Sequence, residues 1–281
     1  MVDSGAVHEQ LPDRGRELAR SAPGRAVHFE YPDQLDPAWT PAKPEFACAA
    51  NSISLLMPHM EPYFVRSIAA VLDQLDERLQ GPTRWYLAQE TRHHRQHKRF
   101  NAHLTARYPR LTPIENLAER AYRQLGRTRS LGFNVAFAAA SETIAYSAAR
   151  WSAEHRQELF AGSDPVISSL FLWHLAEEME HKSVAWDVHR AIGGGPARYL
   201  LAAACAMVLV MFFVGSGTTV MLWAERRLFN PVAWIRLTRW AITFAFEVLP
   251  NLVMSGLPGH HPDKFTDPLW LEVWLREHDG R

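Results

Sequence analysis

Apolar residues recur at helical spacing along most of the chain after about residue 55, and the alternating runs typical of strands are missing. This pattern predicts long helices over about 61–80, 84–107, 131–160 and 165–191, with a shorter helix from Pro113 to about 127. Because the predicted connections are short, neighbouring helices should run antiparallel. The sequence therefore predicts an all-α protein, built as an antiparallel four-helix bundle with extra apolar helices at its C-terminal end.

Helix-breaking and capping residues set the predicted boundaries. Gly81-Pro82 is expected to end the first helix and Thr83 to cap the second. Ser163-Asp164-Pro165 is a helix-start signature, and the run Gly193-Gly194-Gly195 should end the helix that follows it. Glu61 would then lie at the start of the first helix.

The composition changes after residue 195. Tyr199 to Trp223 contains no charged residue, and a run of this length can cross a bilayer. A second apolar segment, about 231–254, carries Arg236, Arg239 and Glu247. Two interpretations stay open: a membrane span or membrane-dipping hairpin, and apolar helices packed on the bundle.

The first 45 residues mix acidic residues, Arg, Pro and Gly, and lack the apolar core of a secretory signal. They predict a poorly ordered arm over 1–45, followed by the bundle over 46–195 and the apolar helices over 196–281. We expect the protein to be cytoplasmic, with membrane association through 199–223 as the alternative.

Charge and cysteine content exclude several function classes. The 281-residue chain has 30 Lys and Arg against 30 Asp and Glu, so its formal net charge is zero and a nucleic-acid partner is not expected. Cys48 and Cys205 are its two cysteines, too few for a disulfide scaffold or a cysteine-rich metal site.

The candidate chemistry lies in two Glu-x-x-His segments on separate predicted helices. They are Glu90 with His93 and Glu178 with His181, and residues three apart on a helix share a face. His174 precedes Glu178 by four residues, so it points the same way. Each helix can therefore present a carboxylate and an imidazole to one metal ion.

Two further carboxylates complete the recipe of a dinuclear carboxylate bundle. Glu61 and Glu142 lie on the other two predicted helices, and Glu142 is surrounded by small apolar residues, where a charge is costly without a partner. Oxygen and nitrogen ligands suit iron or manganese, with zinc as an alternative. We therefore predict two divalent ions, with iron favoured, held by Glu61, Glu90, His93, Glu142, His174, Glu178 and His181.

The neighbours of these residues leave alternatives open. The two Glu-x-x-His segments could instead be solvated surface charge. In another alternative, Glu177 replaces Glu178 as the partner of His181. Because Glu178 shares a helix face with His174 and His181, we favour Glu178 and expect Glu177 and Glu180 at the surface. His97 could hold a ligand in place or be an extra ligand, and the first role is favoured because the other residues already supply enough ligands. Tyr86 and Tyr146 could line the cavity or donate to a carboxylate, but ordinary core packing is favoured, and Lys182 is expected at the surface.

Three segments together resemble the bacterial family of predicted metal-dependent hydrolases. They are Met57-Pro-His-Met-Glu61, Gln89-Glu90-x-x-His93-x-x-x-His97 and Trp173-His174-x-x-x-Glu178-x-Glu180-His181, and a late His261-Pro262 also fits. The resemblance covers about 50–265, although Pro62 directly after Glu61 departs from the expected pattern. With its extra histidine at position 174, the ligand set is also similar to that of the di-iron arylamine N-oxygenases. Either resemblance implies a ferritin-like bundle.

These resemblances imply different reactions. A di-iron oxygenase or oxidase would act on a small apolar organic substrate and would need an electron donor. A hydrolase would use a metal-activated water on an ester or amide, and a non-enzymatic iron-binding protein is a third possibility. The apolar surface beyond the bundle also makes a homodimer a candidate assembly.

Overall fold

The computed structural model describes residues 29–32 and 35–278, and every regular element in these residues is helical. The all-α prediction is therefore confirmed. The helices are α1 (Pro44–Ala69), α2 (Glu77–Arg107), α3 (Thr112–Thr128), α4 (Leu131–Glu154), α5 (Arg156–Leu159), α6 (Pro165–Glu180), α7 (Val184–Ala191), α8 (Pro196–Ala224), α9 (Pro231–Gly256) and α10 (Leu269–His278).

Helices on four sides surround the interior of the bundle. α1 packs on α2 and α4, and α4 packs in turn on α6 and α7, which also contact α2. α4 can approach its neighbours closely because its buried surface includes Ala136 and Ala138–Ala140. The interior of the bundle is therefore lined by α1, α2, α4 and the α6–α7 pair.

The first helix begins much earlier than the sequence predicts. It starts with Pro44 in its first turn, a position where proline is tolerated, and the buried residues Phe46, Ala47 and Leu55 anchor its N-terminal half. Glu61 consequently lies in the interior of a long helix rather than at its start. A position inside a packed helix gives its carboxylate little freedom to reach solvent.

The predicted break at Gly81-Pro82 is wrong. α2 begins at Glu77, where the Asp76 side chain accepts a hydrogen bond from the Leu79 N–H. Pro82 lies inside α2, in its second turn, and the Thr83 hydroxyl donates to the Leu79 carbonyl instead of capping a helix. The chain turns earlier, at the short 3-10 segment Leu72–Gln74.

The last helix of the bundle starts as predicted but is not continuous. The Asp164 carboxylate accepts hydrogen bonds from the backbone N–H groups of Val166 and Ile167, which confirms the predicted cap. The predicted helix over 165–191 is then interrupted after Glu180, and α7 resumes at Val184. Likewise, the predicted helix over 131–160 ends at Glu154. The interruption after Glu180 frees His181 from helical geometry.

α8 and α9 form an outer layer on the bundle. α8 packs on α1 and α4 along its whole length, through buried residues from Tyr199 to Leu222. It is also long and apolar enough to cross a membrane, with mean hydropathy 2.3, a test that core helices can pass as well. Only 28% of its most apolar window is buried, so one side packs on the bundle and the other faces outward.

The predicted N-terminal arm lies partly outside the described residues, which exclude 1–28 and 33–34. In its described part, Phe29 and Trp39 are buried, and the Trp39 indole N–H donates to Asn51 Oδ1 at 3.0 Å. The segment from residue 35 to the start of α1 therefore contacts the bundle through the buried Trp39.

Candidate metal centre

Seven acidic and imidazole side chains meet inside the bundle, and none is more than 8% exposed. We call this cluster the centre. It consists of Glu61 of α1, Glu90 and His93 of α2, Glu142 of α4, His174 and Glu178 of α6, and His181 directly after α6. The structure thus brings together all seven residues that the sequence singled out as ligands.

One side of the centre is built around His174. Its Nε2 lies 2.8 Å from Glu178 Oε1 and 3.4 Å from Glu61 Oε1. The ring of His93 lies beside it, with 4.1 Å between ring centroids, and directs Nδ1 to within 3.5 Å of the same Glu178 oxygen. Ligand atoms from α1, α2 and α6 therefore converge on this side.

The other side is built around His181. Its Nδ1 lies 3.4 Å from Glu142 Oε2, and its Nε2 lies 3.5 Å from Glu90 Oε1. Glu90 Oε1 also lies 3.4 Å from His93 Nδ1, which connects the two sides. The helix interruption after Glu180 lets this ring face both α2 and α4.

These atoms form two overlapping groups in which every ligand atom lies within 4.8 Å of the others. One group contains Glu61 and His174, the other contains Glu90 and His181, and both contain His93 and Glu178. Glu142 adjoins the second group through His181. Two ligand groups with shared members have the arrangement that a pair of neighbouring ions requires.

The centre has more buried polar atoms than its own hydrogen bonds satisfy. Several polar atoms of the centre have no hydrogen-bond partner among the described residues. They are both oxygens of Glu61, both nitrogens of His181, and one polar atom in each of Glu90, His93, Glu142 and Glu178. Leaving such atoms unsatisfied costs about 1–3 kcal/mol each. Since they face one another and are oxygens and imidazole nitrogens, divalent cations fit the donor set.

Electrostatic repulsion among the carboxylates shows in their pKa values. Burial, reinforced by the neighbouring Glu90, raises the pKa values of Glu61 and Glu142 well above the usual range. Burial and the nearby Glu178 raise the pKa of Glu90 to about 7. For Glu178 burial acts in the same direction, but His181 and His174 outweigh it and hold the pKa below its usual value. A bound cation would relieve this repulsion.

His93 is oriented by a residue that the sequence placed at the surface. Glu177 is 0% exposed, and its Oε2 lies 3.0 Å from His93 Nε2. The Trp173 indole N–H donates to the other Glu177 oxygen at 3.0 Å. Donation from Nε2 leaves the Nδ1 lone pair of His93 directed into the centre, which is the carboxylate–histidine arrangement of metal sites.

The expectation that Glu177 lies at the surface was therefore wrong, while Glu178 is the residue of this pair that shares a ligand group with His181. Spacing along α6 alone cannot reveal a partner on α2. Trp173, four residues before Glu177, was the available signal, because a buried indole N–H needs an acceptor. Glu180, also expected at the surface, is half-buried.

His174 is oriented by a chain of hydrogen bonds that leads away from the centre. Its Nδ1 lies 2.6 Å from His97 Nε2, and His97 Nδ1 lies 2.8 Å from Ser54 Oγ. The Ser54 hydroxyl donates to Asn101 Oδ1 at 2.7 Å, while the Asn101 amide donates to the Ser54 carbonyl at 2.8 Å. Ser54 and Asn101 were not singled out by the sequence.

The direction of these bonds fixes the proton positions. Because the Ser54 proton goes to Asn101, Ser54 Oγ must accept the proton of His97 Nδ1, and His97 Nε2 must then accept from His174 Nδ1. Burial, and after it the nearby His174, lower the pKa of His97 well below its usual value, which keeps the ring neutral. The lone pair of His174 Nε2 is thereby directed at Glu61 and Glu178.

The two tyrosines have different surroundings. Tyr86 donates to Glu142 Oε1 at 2.9 Å, so it contacts the centre rather than only filling the core. Tyr146 bonds the Thr266 carbonyl at 3.3 Å and stacks on Phe265, away from the seven residues of the centre. Only Tyr86 is therefore in a position to hold a carboxylate of the centre.

Lys182, expected at the surface, is buried. Its Nζ donates to the Asp267 carboxylate at 2.7 Å and 2.8 Å and to the Phe265 carbonyl at 3.0 Å. The residue that follows His181 thus ties the helix interruption to the segment before α10. The prediction failed because Asp267 is 85 residues away in sequence.

A cavity of about 230 Å³ lies elsewhere, between the C-terminal end of α7 and the start of α8. Trp186, His189, Tyr199 and Ser255 line it, and none of the seven residues of the centre does. The ligand atoms therefore converge apart from this cavity.

Comparison with known proteins gives one result. No curated protein and no solved structure matches the chain. A family model described as "Predicted metal-dependent hydrolase" matches residues 23–265, a range that contains the whole centre. Because this match covers most of the chain, the protein belongs to the predicted metal-dependent hydrolase family.

Proposed function

We propose that this protein is a dinuclear metalloenzyme with a ferritin-like bundle, whose centre holds two divalent metal ions. The observation that carries the proposal is the pair of overlapping ligand groups that share His93 and Glu178, with unpartnered oxygens and nitrogens directed at one another. The family membership supports dependence on a metal.

The distances suggest how the ligands divide. Glu61 and His174 would serve one ion, and Glu142 and His181 the other, because these pairs lie on opposite sides of the centre. Glu90 and Glu178, which approach imidazoles of both sides, would lie between the ions. His93 would donate through Nδ1.

The ligand chemistry favours iron. Carboxylates and imidazoles, without a thiolate, suit Fe, Mn or Zn, and a histidine-bearing dinuclear carboxylate bundle is the usual setting of di-iron and di-manganese sites. We therefore favour iron, with manganese as the next choice and zinc as a further alternative.

For the reaction we favour oxygenase or oxidase chemistry on a small apolar organic substrate, in which the bound metals would supply O₂ reduction using electrons from a donor. The chain's own residues would hold the site ready. Glu177 and His97 fix two imidazoles, Tyr86 fixes the Glu142 carboxylate, and the packed apolar surroundings exclude water.

Hydrolysis is the second candidate, and the description of the family favours it. In that reaction the same carboxylates and imidazoles would hold ions that acidify a water for attack on an ester or amide. The two candidates differ in their need for an oxidant, which allows a direct test.

Metal analysis of protein from iron-supplemented cells tests the site itself. We expect about two ions per chain, and nearly none in the double variant Glu142→Ala/Glu178→Ala. Glu119→Ala, an exposed carboxylate on α3, is the matched control and should retain both ions. Substoichiometric metal that is the same in all three proteins would contradict the proposal.

Substrate screening under two conditions tests the reaction. If the protein is an oxygenase, the reduced, iron-loaded form should consume O₂ faster in the presence of a small apolar amine or hydrocarbon. If it is a hydrolase, esters or amides should be cleaved without O₂, with zinc or manganese sustaining turnover. Stoichiometric metal without either activity would instead point to a non-enzymatic iron-binding protein.

A further inference from the structure

The outward side of the α8–α9 pair is apolar from one end to the other. We call this surface the outer face; it is marked by exposed Leu201, Val208 and Met211 on α8 and Ile235, Ile242 and Phe246 on α9. Positions seven apart, such as 201 and 208 or 235 and 242, lie on one side of a helix. Each helix therefore presents an apolar stripe away from the bundle.

Each of the charged residues Arg236, Arg239 and Glu247 of α9 is paired with the bundle, although Arg239 is exposed and lies beside Ile235 and Ile242 on this face. Arg236 contacts Glu45 at 2.6 Å, Glu247 contacts Arg150 at 3.0 Å, and Arg239 pairs with Glu158. α8 has no charged residue between Tyr199 and Trp223. The outer face thus carries the exposed charge of Arg239, which is paired with Glu158.

The outer face extends along α8, α9 and the connection between them. The 29 residues of α8 span roughly 43 Å. Phe246 and Ile235 are 78% and 68% exposed, and Phe229 in the connection between the helices is 91% exposed.

The end of the pair where α8 connects to α9 is basic. Arg226 and Arg227 lie in this tip, residues 225–230, and Arg107 and Arg110 from the end of α2 and the turn after it lie beside it. The acidic residue of the tip, Glu225, is already paired with Arg107 at 3.0 Å. An apolar face with a cationic end is complementary to a membrane that contains anionic lipids.

An aromatic side chain lies where the apolar and basic parts meet. The Trp223 ring is half-exposed at the end of α8, and the Arg110 guanidinium lies 4.0 Å from its centroid. Tryptophan with arginine is typical of the depth at which lipid headgroups meet acyl chains.

We propose that the outer face lies flat on an anionic membrane, with its apolar stripes in the boundary between headgroups and acyl chains and the tip on the headgroups. A span by α8 is not compatible with this structure, since α8 packs on α1 and α4 along its length and would bring the polar bundle into hydrocarbon. The inference does not depend on the metal chemistry.

A second copy of the chain is the competing occupant. Two outer faces packed in parallel would bring two basic tips together, and an antiparallel arrangement would place each tip near exposed Arg198 at the start of the partner's α8. Both arrangements juxtapose cations, which costs binding energy, whereas anionic headgroups attract them. The charges therefore favour lipid.

Co-sedimentation of the full-length, metal-loaded protein with vesicles tests the proposal. We expect binding to vesicles of phosphatidylcholine with about one-third phosphatidylglycerol, and much weaker binding to phosphatidylcholine alone. Arg226→Glu/Arg227→Glu should reduce affinity for the anionic vesicles by roughly 25-fold or more, since each arginine contributes about fivefold. High salt should weaken wild-type binding in the same direction.

Ile235→Glu/Phe246→Glu tests the apolar part and should abolish vesicle binding. Val273→Glu is the matched control, an exposed apolar residue on α10, which packs on α6, and it should bind like the wild type. Circular dichroism and metal content should be unchanged in each variant, which separates loss of docking from loss of folding.

Three results would overturn the proposal. One is no binding to either vesicle by a monodisperse monomer. Another is a dimer that ignores vesicles and dissociates in Ile235→Glu/Phe246→Glu, which would assign the face to a second copy. The third is protein that resists carbonate extraction from membranes, which would mean an inserted span.

Discussion

The centre and the outer face reverse the usual distribution of residues in opposite ways. The centre concentrates carboxylates and imidazoles where apolar side chains are normal, and the outer face exposes Leu, Ile and Phe where polar side chains are normal. In both regions the residues would be more favourable next to something that the chain itself does not supply. The buried carboxylates and imidazoles of the centre fit cations, and the exposed apolar side chains of the outer face fit apolar surroundings.

The two regions share a structural support. α4 contributes Glu142 to the centre and also carries α8 and α9 on its other side. Its small residues allow close packing on both sides, so the outer layer and the ligand helices are fixed to the same element. Changes in one region should still leave the other intact, because the centre fits cations and the outer face fits apolar surroundings.

Metal removal should produce the largest effect and should act on the centre alone. An ion present at about 1,000 times its dissociation constant stabilises the folded state by about 4 kcal/mol. We therefore expect chelation to lower the thermal midpoint strongly, and vesicle binding through the outer face to survive at temperatures where the apoprotein stays folded. A midpoint unaffected by chelation and reloading would mean that the centre holds no ion.

The metal-free protein should also acquire a distinctive pH dependence. Burial raises the pKa of Glu90 to about 7 and those of Glu61 and Glu142 well above normal, so above pH 4.5 these three carboxyl groups bind more protons in the folded state than in the unfolded chain. Its stability should then fall as pH rises. Burial lowers the pKa values of His174 and His181. Below about pH 6.5 these two histidines therefore make the stability rise with pH, which opposes the effect of the carboxyl groups.

The useful window consequently begins at about pH 6.5, above the ordinary histidine range, and includes the pKa of Glu90 at about 7. Denaturant unfolding of the apoprotein should show falling stability across this window. Reloading with metal should remove or reverse the trend, because ligation favours the charged carboxylates. A stability that rises across the window in the apoprotein would contradict the assigned repulsion.

Changes to the residues that orient the imidazoles should have intermediate effects. Glu177→Gln removes the charged partner of His93 Nε2, and His97→Leu removes the partner of His174 Nδ1. Each should weaken metal binding by about 10–100-fold without removing a ligand. Competition with a chelator measures the affinity, and Glu119→Gln at the exposed surface is the control for the first change.

The two variants act on different imidazoles, since His93 belongs to both ligand groups and His174 to one of them. If His97 only fills space, His97→Leu should bind metal like the wild type and show at most a change in thermal stability. Equal affinities in all variants would remove the positioning role assigned to Glu177 and to the chain from His97 to Asn101.

The features of this arrangement that could be predicted from the sequence are those that depend on helical periodicity. The all-helical class, the Asp164 cap and the convergence of both Glu-x-x-His segments depend on local spacing, which the sequence displays directly. The start of α1 at Pro44 and the passage of α2 through Pro82 were not predicted, since packing of Phe46 and the Asp76 cap outweighed the proline signals.

The orienting residues were harder to predict than the ligands. Glu177 bonds His93 across 84 positions, and Ser54 meets His97 across 43, so neither contact appears in the pattern of a single helix. The interruption after Glu180 also changes the register of His181 relative to α6. Such contacts become visible only once the helices are packed.

The smallest expected effects come from two substitutions in α8, which test whether one side of this helix packs on α1 while the other side is exposed. A Cβ at Gly217 would lie 2.7 Å from Ser52 Oγ, which is already bonded to the Cys48 carbonyl at 2.8 Å. Gly217→Ala should therefore destabilise the protein by about 1–3 kcal/mol through overpacking against α1. A Cβ at exposed Gly215 would meet nothing within 4 Å, so Gly215→Ala should stabilise it by about 0.5–1 kcal/mol through helix propensity.

The opposite signs of these two neighbouring substitutions are the decisive observation, and urea unfolding of both variants measures them. Both replace a glycine in α8 by alanine, so intrinsic propensity is the same and only contact with α1 differs. If both variants were stabilised alike, α8 would not be seated on Ser52, and the outer face would lose the rigid support that orients it. If both were destabilised, the side carrying Gly215 would be covered by something other than solvent, and a second copy of the chain would become the better occupant of the outer face.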